Sequence, residues 1–582
     1  MVNQTSLAPI YISWSEYEAA SDAQDPLGLG LRGSTRLANR LLYCITSITP
    51  RARYFSFIPW CVLDWQQHEQ GRGFALGLRE AIVVRENALT LGCVAHHDGN
   101  PCKGGALVGS DEAKKWFLKG AEEADLRRLK LAKNPALGAY YNSLVNLGVF
   151  EVDEYETSDS DSEEEQVELG FDDIKLSKNG QLLAQKYNEL VGRLESVRNI
   201  STPGRRVSLS SLKQLGDRGG LCELSEAGAS DRQVLIELFF AQTAMEGESH
   251  QVRKQSLLLI LELCKQLSKD DWGLHESSFR HAIYYGELVS DDGEVTKISW
   301  PTPLRDIATR WRMFYFHHYM SVALEGMFSW LVTNVSQEGL SGISVEELVS
   351  RLDSAAVSKS VANILGTKIN GQFGNHTPKN ILVQYADNDV LNATSSKRID
   401  AALKPSSAPF VEEELELIIR AQEELQSPTG LAIPLILLTT TLARYTQWEE
   451  TIYGNWMANA SIDPHLDLLP PVLITDLTRR FGQWWDHSWP ELAEFLLSRY
   501  VVQQHLSMAY EKTAAGDRCI LQVDGRNIIS NAAYEKIGMG NPRFGSAVQI
   551  LEDLGLLAKR DDGVTILTEE GNTLLKSELA KM

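Results

Sequence analysis

Leu144-Val145-Asn146-Leu147-Gly148-Val149-Phe150 and Leu551-Glu552-Asp553-Leu554-Gly555-Leu556-Leu557 are one phrase written twice in a chain of 582 residues. Each reads as an amphipathic helix halted by a glycine, the residue that most readily takes the left-handed conformation a helix end requires, followed by apolar residues in a β-like run. A second phrase also recurs. Leu176-Ser177-Lys178-Asn179-Gly180-Gln181-Leu182-Leu183 and Leu567-Thr568-Glu569-Glu570-Gly571-Asn572-Thr573-Leu574 each place a Ser or Thr where a strand gives way to a new helix. A hydroxyl at that point accepts from a free amide of the first helical turn.

Helix, glycine stop, two short strands and a capped closing helix are the grammar of a winged helix. The predicted fold is therefore mainly α and multidomain, with two winged-helix-like modules flanking a helical middle. The expected boundaries are an N-terminal arm and helix over 1–70, a first module over 75–195, helical domains over 230–510 and a second module over 515–582. The two glycines of each copy lie 32 residues apart in the first and 16 in the second. The surplus coincides with an insertion, Glu151–Asp173, holding twelve acidic residues and no Lys or Arg. Such a segment buries too little apolar surface to order by itself and reads as a long, negative wing.

Large apolar residues recur at helical spacing through Leu78–Leu89, Leu126–Leu147, Ser256–Leu267, Leu304–Thr333, Glu412–Leu425, Leu431–Trp448 and Glu491–Lys512. The aromatic run through Trp311 and Trp330 predicts a helix buried around most of its circumference. His317 and His318 within it read as core histidines. Polar stretches over Ser201–Gly228 and Gly366–Ser407 read as linkers or loops.

A chain this long needs several cores, about three to five at roughly 100–200 residues each. With 43% hydrophobic and 23% charged residues and 13 Trp, it reads as an ordinary globular protein. The net charge of −21 falls to −9 without the acidic insertion, which disfavours broad DNA coating but permits a local basic face. Seven scattered cysteines fit reduced thiols. The longest apolar run, Leu431–Ala443, contains Pro434 and is too short for a membrane span. The N-terminal residues lack a secretory pattern, so the expected location is the cytoplasm.

Motifs that would dictate chemistry are absent: there is no phosphate loop, no His-Glu-x-x-His and no paired Cys-x-x-Cys. Gly28-Leu29-Gly30-Leu31-Arg32-Gly33 has the spacing of a dinucleotide turn, but no strand precedes it, and a simple turn is expected. Asp172, Asp173 and Lys175 imitate a nuclease triad yet fall on the return strand of the first wing. Cys93, His96, His97 and Cys102 are ligand types suited to zinc at irregular spacing; a reduced, partly buried loop is preferred, with no metal or cofactor assigned. No catalytic residue is assigned. For DNA, the second module offers Arg526, Arg543, Lys559 and Arg560; Arg127, Arg128, Lys130 and Lys133 precede the corresponding helix of the first.

The most unusual phrase is Arg51-Ala52-Arg53-Tyr54-Phe55-Ser56-Phe57-Ile58-Pro59-Trp60. Its arginines read either as core residues paired with carboxylates or as partner or phosphate contacts through Arg51 and Arg53. This phrase, with Asp25-Pro26-Leu27-Gly28-Leu29-Gly30 upstream, resembles an uncharacterised bacterial family often encoded in anti-phage defence clusters. The resemblance implies a non-catalytic accessory subunit of an antiviral defence complex. Its expected partners are proteins of the same operon, such as a helicase, ATPase or nuclease, with DNA as a further ligand and no membrane. A winged-helix transcriptional regulator and a nuclease-like enzyme with a dispersed site are the alternatives.

Overall fold

The computed structural model describes residues 26–29, 31–70, 76–100, 102, 104–151, 174–200, 202, 205–226, 228–241, 247–267, 273–289, 295–352, 377–378, 421, 423–448, 486–513, 519–534, 537 and 541–582. The chain is mainly helical, and every sheet among these residues is a two-stranded antiparallel pair. No described helix is long and apolar enough to cross a membrane. Expectations for the acidic insertion, for Asp172 and Asp173, and for most of Gly366–Ser407 and Glu412–Leu425 lie outside the described residues.

Two compact units emerge, each assembled from separated segments. One contains the described residues up to Gly33 and from Phe316 to Gly540; the other contains Ser34–Tyr315 and Asn541–Met582. In the first, Pro428–Trp448 packs closely on the helical stretch over 316–336, where a Cβ at Gly326 would stand 3.0 Å from the Pro434 ring. His317 and His318 are buried there, at 2% and 3% exposure, and burial pushes His317 down to about 3, so its imidazole is neutral. A hairpin of Leu521–Asp524 with Asn527–Ser530 also belongs to this unit.

The second unit holds both copies of the repeated phrase. Its first long helix, α1 (Tyr54–His68), is buried from Tyr54 through Val62. Aromatic edges fix its neighbours: Phe55 meets Tyr140 at 5.3 Å, and Phe57 and Trp60 meet Tyr187 at 5.8 and 5.3 Å. Helix α2 (Leu78–His96) follows. The first copy comprises α3 (Ala136–Asn146), β1 (Phe150–Glu151), β2 (Lys175–Leu176) and α4 (Lys178–Val191). Helix α3 starts later than its apolar spacing predicts because Pro135 takes the extended conformation immediately before it.

Ser201–Gly228 is not a linker. It contains α5 (Leu209–Gly219) and a 3₁₀ turn, Leu221–Ser225. The glycines that suggested a loop serve a crossing of α2 and α5 in which the two backbones nearly touch. A Cβ on Gly92 would stand 2.5 Å from the Leu212 carbonyl oxygen, and one on Gly216 would stand 2.1 Å from that of Gly92. Only a residue without a side chain fits either place. Helix α6 (Glu248–Leu267) is buried along most of its length and packs on the second copy, formed by α7 (Phe544–Asp553), β3 (Leu557–Lys559), β4 (Thr565–Leu567) and α8 (Glu569–Lys581).

Candidate functional site: the joined helix–hairpin repeats

The two copies match bond for bond. In the first, Val149 N donates to Leu144 O at 2.9 Å and Gly148 N to Val145 O at 2.8 Å; in the second, Leu556 N donates to Leu551 O and Gly555 N to Glu552 O, both at 2.9 Å. These are the paired bonds of a Schellman helix end, with Gly148 at φ 69° and Gly555 at φ 67°. The hairpins then pair Phe150 with Leu176 and Leu557 with Leu567. Ser177 Oγ donates to Gly148 O at 2.7 Å and accepts from Gly180 N at 3.0 Å. Thr568 Oγ1 does the same with Gly555 O at 2.9 Å and Gly571 N at 3.0 Å. A Cβ on Gly180 or Gly571 would lie 2.2 Å from the carbonyl of Val149 or Leu556, which explains why both closing helices carry glycine at that place.

The Arg-Ala-Arg phrase is what connects the copies. Arg51 N donates to the Tyr140 hydroxyl on α3 at 3.0 Å, while Arg51 Nε and Ala52 N donate to Asp553 Oδ2 on α7 at 2.9 and 3.0 Å. Arg51 and Asp553 are both buried. Burial alone disfavours both charges; the facing carboxylate more than offsets it for Arg51, whose pKa is raised, whereas burial leaves the Asp553 pKa above the usual carboxylate value. Arg53 is equally enclosed. It donates to Asp231 at 3.1 and 3.3 Å and to Gly220 O at 2.8 Å. The residue after Asp231, Arg232, donates to Leu554 O at 2.8 Å and pairs with Glu570 at 2.6 Å, a cation at the C-terminal end of α7 where the helix dipole favours it.

These positions assign Arg51 and Arg53 to the core. Neither is available as a partner or phosphate contact, because their guanidinium groups are fully buried against Asp553 and Asp231. Arg543 is a packing residue and not a DNA contact: it is 8% exposed, adopts φ 60°, and donates to Ile45 O at 2.9 Å. Arg526 is exposed on the turn between Asp524 and Asn527, and that hairpin belongs to the other compact unit. Lys559 and Arg560 do stand at the exposed hairpin of the second copy, with side chains 58% and 38% accessible. Each faces an acid: Lys559 lies 3.6 Å from Glu552 and Arg560 2.8 Å from Asp562. Ahead of the first copy, Arg128 pairs with Asp125 at 3.3 Å, and Lys130 and Lys133 are exposed.

The expected loop at Cys93–Cys102 gathers differently from the sequence spacing. Cys93, His97 and Cys102 converge with Cys222, whereas His96 turns to Asp217 and Glu223. Cys222, Asp231 and Asp553 were not legible as partners, since each is separated from its contact by more than a hundred residues and carries no motif. The glycine crossing of α2 and α5 is the signal that could have placed Cys222. No family model, curated protein or solved structure gives a significant match to this chain.

Proposed function

We propose that this chain is a non-catalytic accessory subunit of a bacterial antiviral defence complex, and that it docks partner proteins through its two winged-helix-like modules. The defence setting rests on the resemblance carried by Arg51–Trp60. The mode of docking rests on one observation: the helices that precede the two hairpins, Ala136–Asn146 and Phe544–Asp553, contain no Lys or Arg, and the second ends in Glu552 and Asp553. A helix that enters a DNA groove needs cations around it to meet the phosphates. The exposed or half-exposed residues here include Gly138, Tyr141 and Asn142 on the first helix and Gln549 on the second, uncharged groups suited to a protein surface.

The test is co-purification of the tagged full chain with the products of its neighbouring genes. A stable complex is expected, and Asn142→Glu on the exposed side of α3 should reduce partner recovery at least tenfold without changing stability. Recovery of the chain alone under mild conditions would overturn the proposal. DNA contact by Lys559 and Arg560 is the second reading, favoured by their exposure. It requires a log-affinity slope against log salt of about −1.8 or steeper, the value for two phosphate contacts or more, whereas protein docking alone predicts no measurable salt-dependent duplex binding.

A further inference from the structure

The last turn of α2 places Cys93 and His97 four residues apart on one helical face, with His97 N donating to Cys93 O at 3.2 Å. The glycine crossing with α5 brings the turn Leu221–Ser225 beside them, so that a Cβ on Gly220 would stand 3.5 Å from Cys93 Sγ. On that turn, Cys222 Sγ lies 3.2 Å from His97 Nε2. Cys102 returns from a loop whose Gly99, Gly104 and Gly105 take φ of 83°, 82° and 63°, and its thiol is within hydrogen-bonding reach of Cys93, Cys222 and His97. Three thiols and one imidazole, from three separate segments, thus lie beside one another. All seven cysteines of the chain are free thiols.

We propose that Cys93, His97, Cys102 and Cys222 form a structural zinc site. Zinc bonds of about 2.3 Å to sulfur and 2.0 Å to nitrogen, arranged tetrahedrally, set ligand–ligand edges of roughly 3.5–3.8 Å, close to the 3.2 Å between His97 and Cys222. Packing of three neutral thiols would account for the burial but not for an imidazole nitrogen directed at sulfur. Arg51, held in place by Asp553, also reaches the cluster: its Nη1 stands 4.0 Å from Cys102 Sγ. Binding converts Zn²⁺, three thiols and a neutral imidazole into a centre of net charge −1 and releases three protons. A buried guanidinium beside it offsets that charge.

His96 lies close enough to group with His97 and Cys222 within 4.8 Å. Its ring nitrogens are already engaged, Nδ1 with Asp217 at 2.7 Å and Nε2 with Glu223 at 3.1 Å, which leaves it a neighbour of the site. Four protein ligands close the coordination sphere, the mark of a structural metal rather than a catalytic one. The metal would pin the loop that supplies Gly105 O to Arg51 Nη1 at 2.6 Å, and so hold the seat of the residue that connects the two repeats.

Metal analysis of the full chain, purified reduced and without chelators after growth with zinc, should give about one zinc per chain. Replacement by cobalt(II) should produce intense thiolate charge-transfer bands. Cys222→Ser should lose the metal, Cys264→Ser on α6 should retain it, and His97→Cys should retain it with an altered cobalt spectrum. Less than about a tenth of an equivalent of zinc in the folded wild type would overturn the assignment. So would a disulfide among Cys93, Cys102 and Cys222 in the freshly isolated protein, or a cobalt spectrum that neither Cys222→Ser nor His97→Cys changes.

Discussion

Asp553→Ala removes the carboxylate on which the connection between the repeats depends. In the folded chain Asp553 accepts from Arg51 Nε at 2.9 Å, Ala52 N at 3.0 Å and Gln549 Nε2 at 3.0 Å. Hydrogen bonds to a charged group contribute about 1.5–3 kcal/mol each, without adding simply. Deleting one partner of a buried ion pair leaves the other charge in a low-dielectric interior and costs about 3–5 kcal/mol. That range is expected for Asp553→Ala, since Arg51 is fully buried and cannot swing into water. Asp553→Asn keeps the shape and one acceptor and should lose about 1–3 kcal/mol. Arg51→Met combined with Asp553→Leu removes both charges, and should be less destabilised than Asp553→Ala alone. Urea titrations of the full chain, following the unfolding transition of the unit that contains Trp60 and Trp311, give the comparison. A loss below about 1 kcal/mol for Asp553→Ala, or a double variant less stable than the single one, would rule out a buried pair that the fold depends on.

Two further perturbations follow from the same unit. Glu86 is 3% exposed and accepts from Ala136 N, the first amide of α3, at 3.0 and 3.2 Å; burial pushes its pKa from 4.5 up to about 7, against the lowering effect of that amide. A carboxyl whose pKa is raised on folding binds its proton more tightly in the native state, so its contribution is fully present below pH 4.5 and is lost as pH rises through 7. The loss is on the order of 3 kcal/mol, and Glu86→Gln, neutral at every pH, should be the more stable protein at pH 8 and lose its advantage near pH 4; parallel pH profiles would contradict this. Gly216→Ala should destabilise the α2–α5 crossing by about 1–3 kcal/mol despite the better helix propensity of alanine, because the new methyl would meet Gly92 O at 2.1 Å; an unchanged urea midpoint would contradict it.

The repeats were legible because their information is local. Glycine at a helix end and a hydroxyl at a helix start act within four residues, so Gly148, Gly555, Ser177 and Thr568 each announce a bond that the structure makes. Glycine is ambiguous elsewhere. The residues that marked Ser201–Gly228 as a linker are there to let α5 approach α2, and a one-dimensional reading cannot separate a flexible glycine from one required by a neighbouring backbone. The arginines of the Arg51–Trp60 phrase do pair with carboxylates, one of the two readings their sequence allows, but nothing in the spacing names Asp231 or Asp553. Arg543 misleads for a related reason: a basic residue before a helix resembles a phosphate contact until its burial is known. The Cys93–Cys102 cluster is visible as ligand types, and the convergence of Cys222 with it follows only from the helix crossing.

Two copies of one phrase, from distant parts of the chain, are joined through Arg51. Amide hydrogen exchange of the full chain, wild type against Asp553→Ala, measures that coupling. Loss of the carboxylate should raise exchange in the second copy over Leu551–Leu557, and also in the first copy over Ala136–Val149, where Arg51 N meets Tyr140. Faster exchange confined to the second copy, with Ala136–Val149 unchanged, would contradict it.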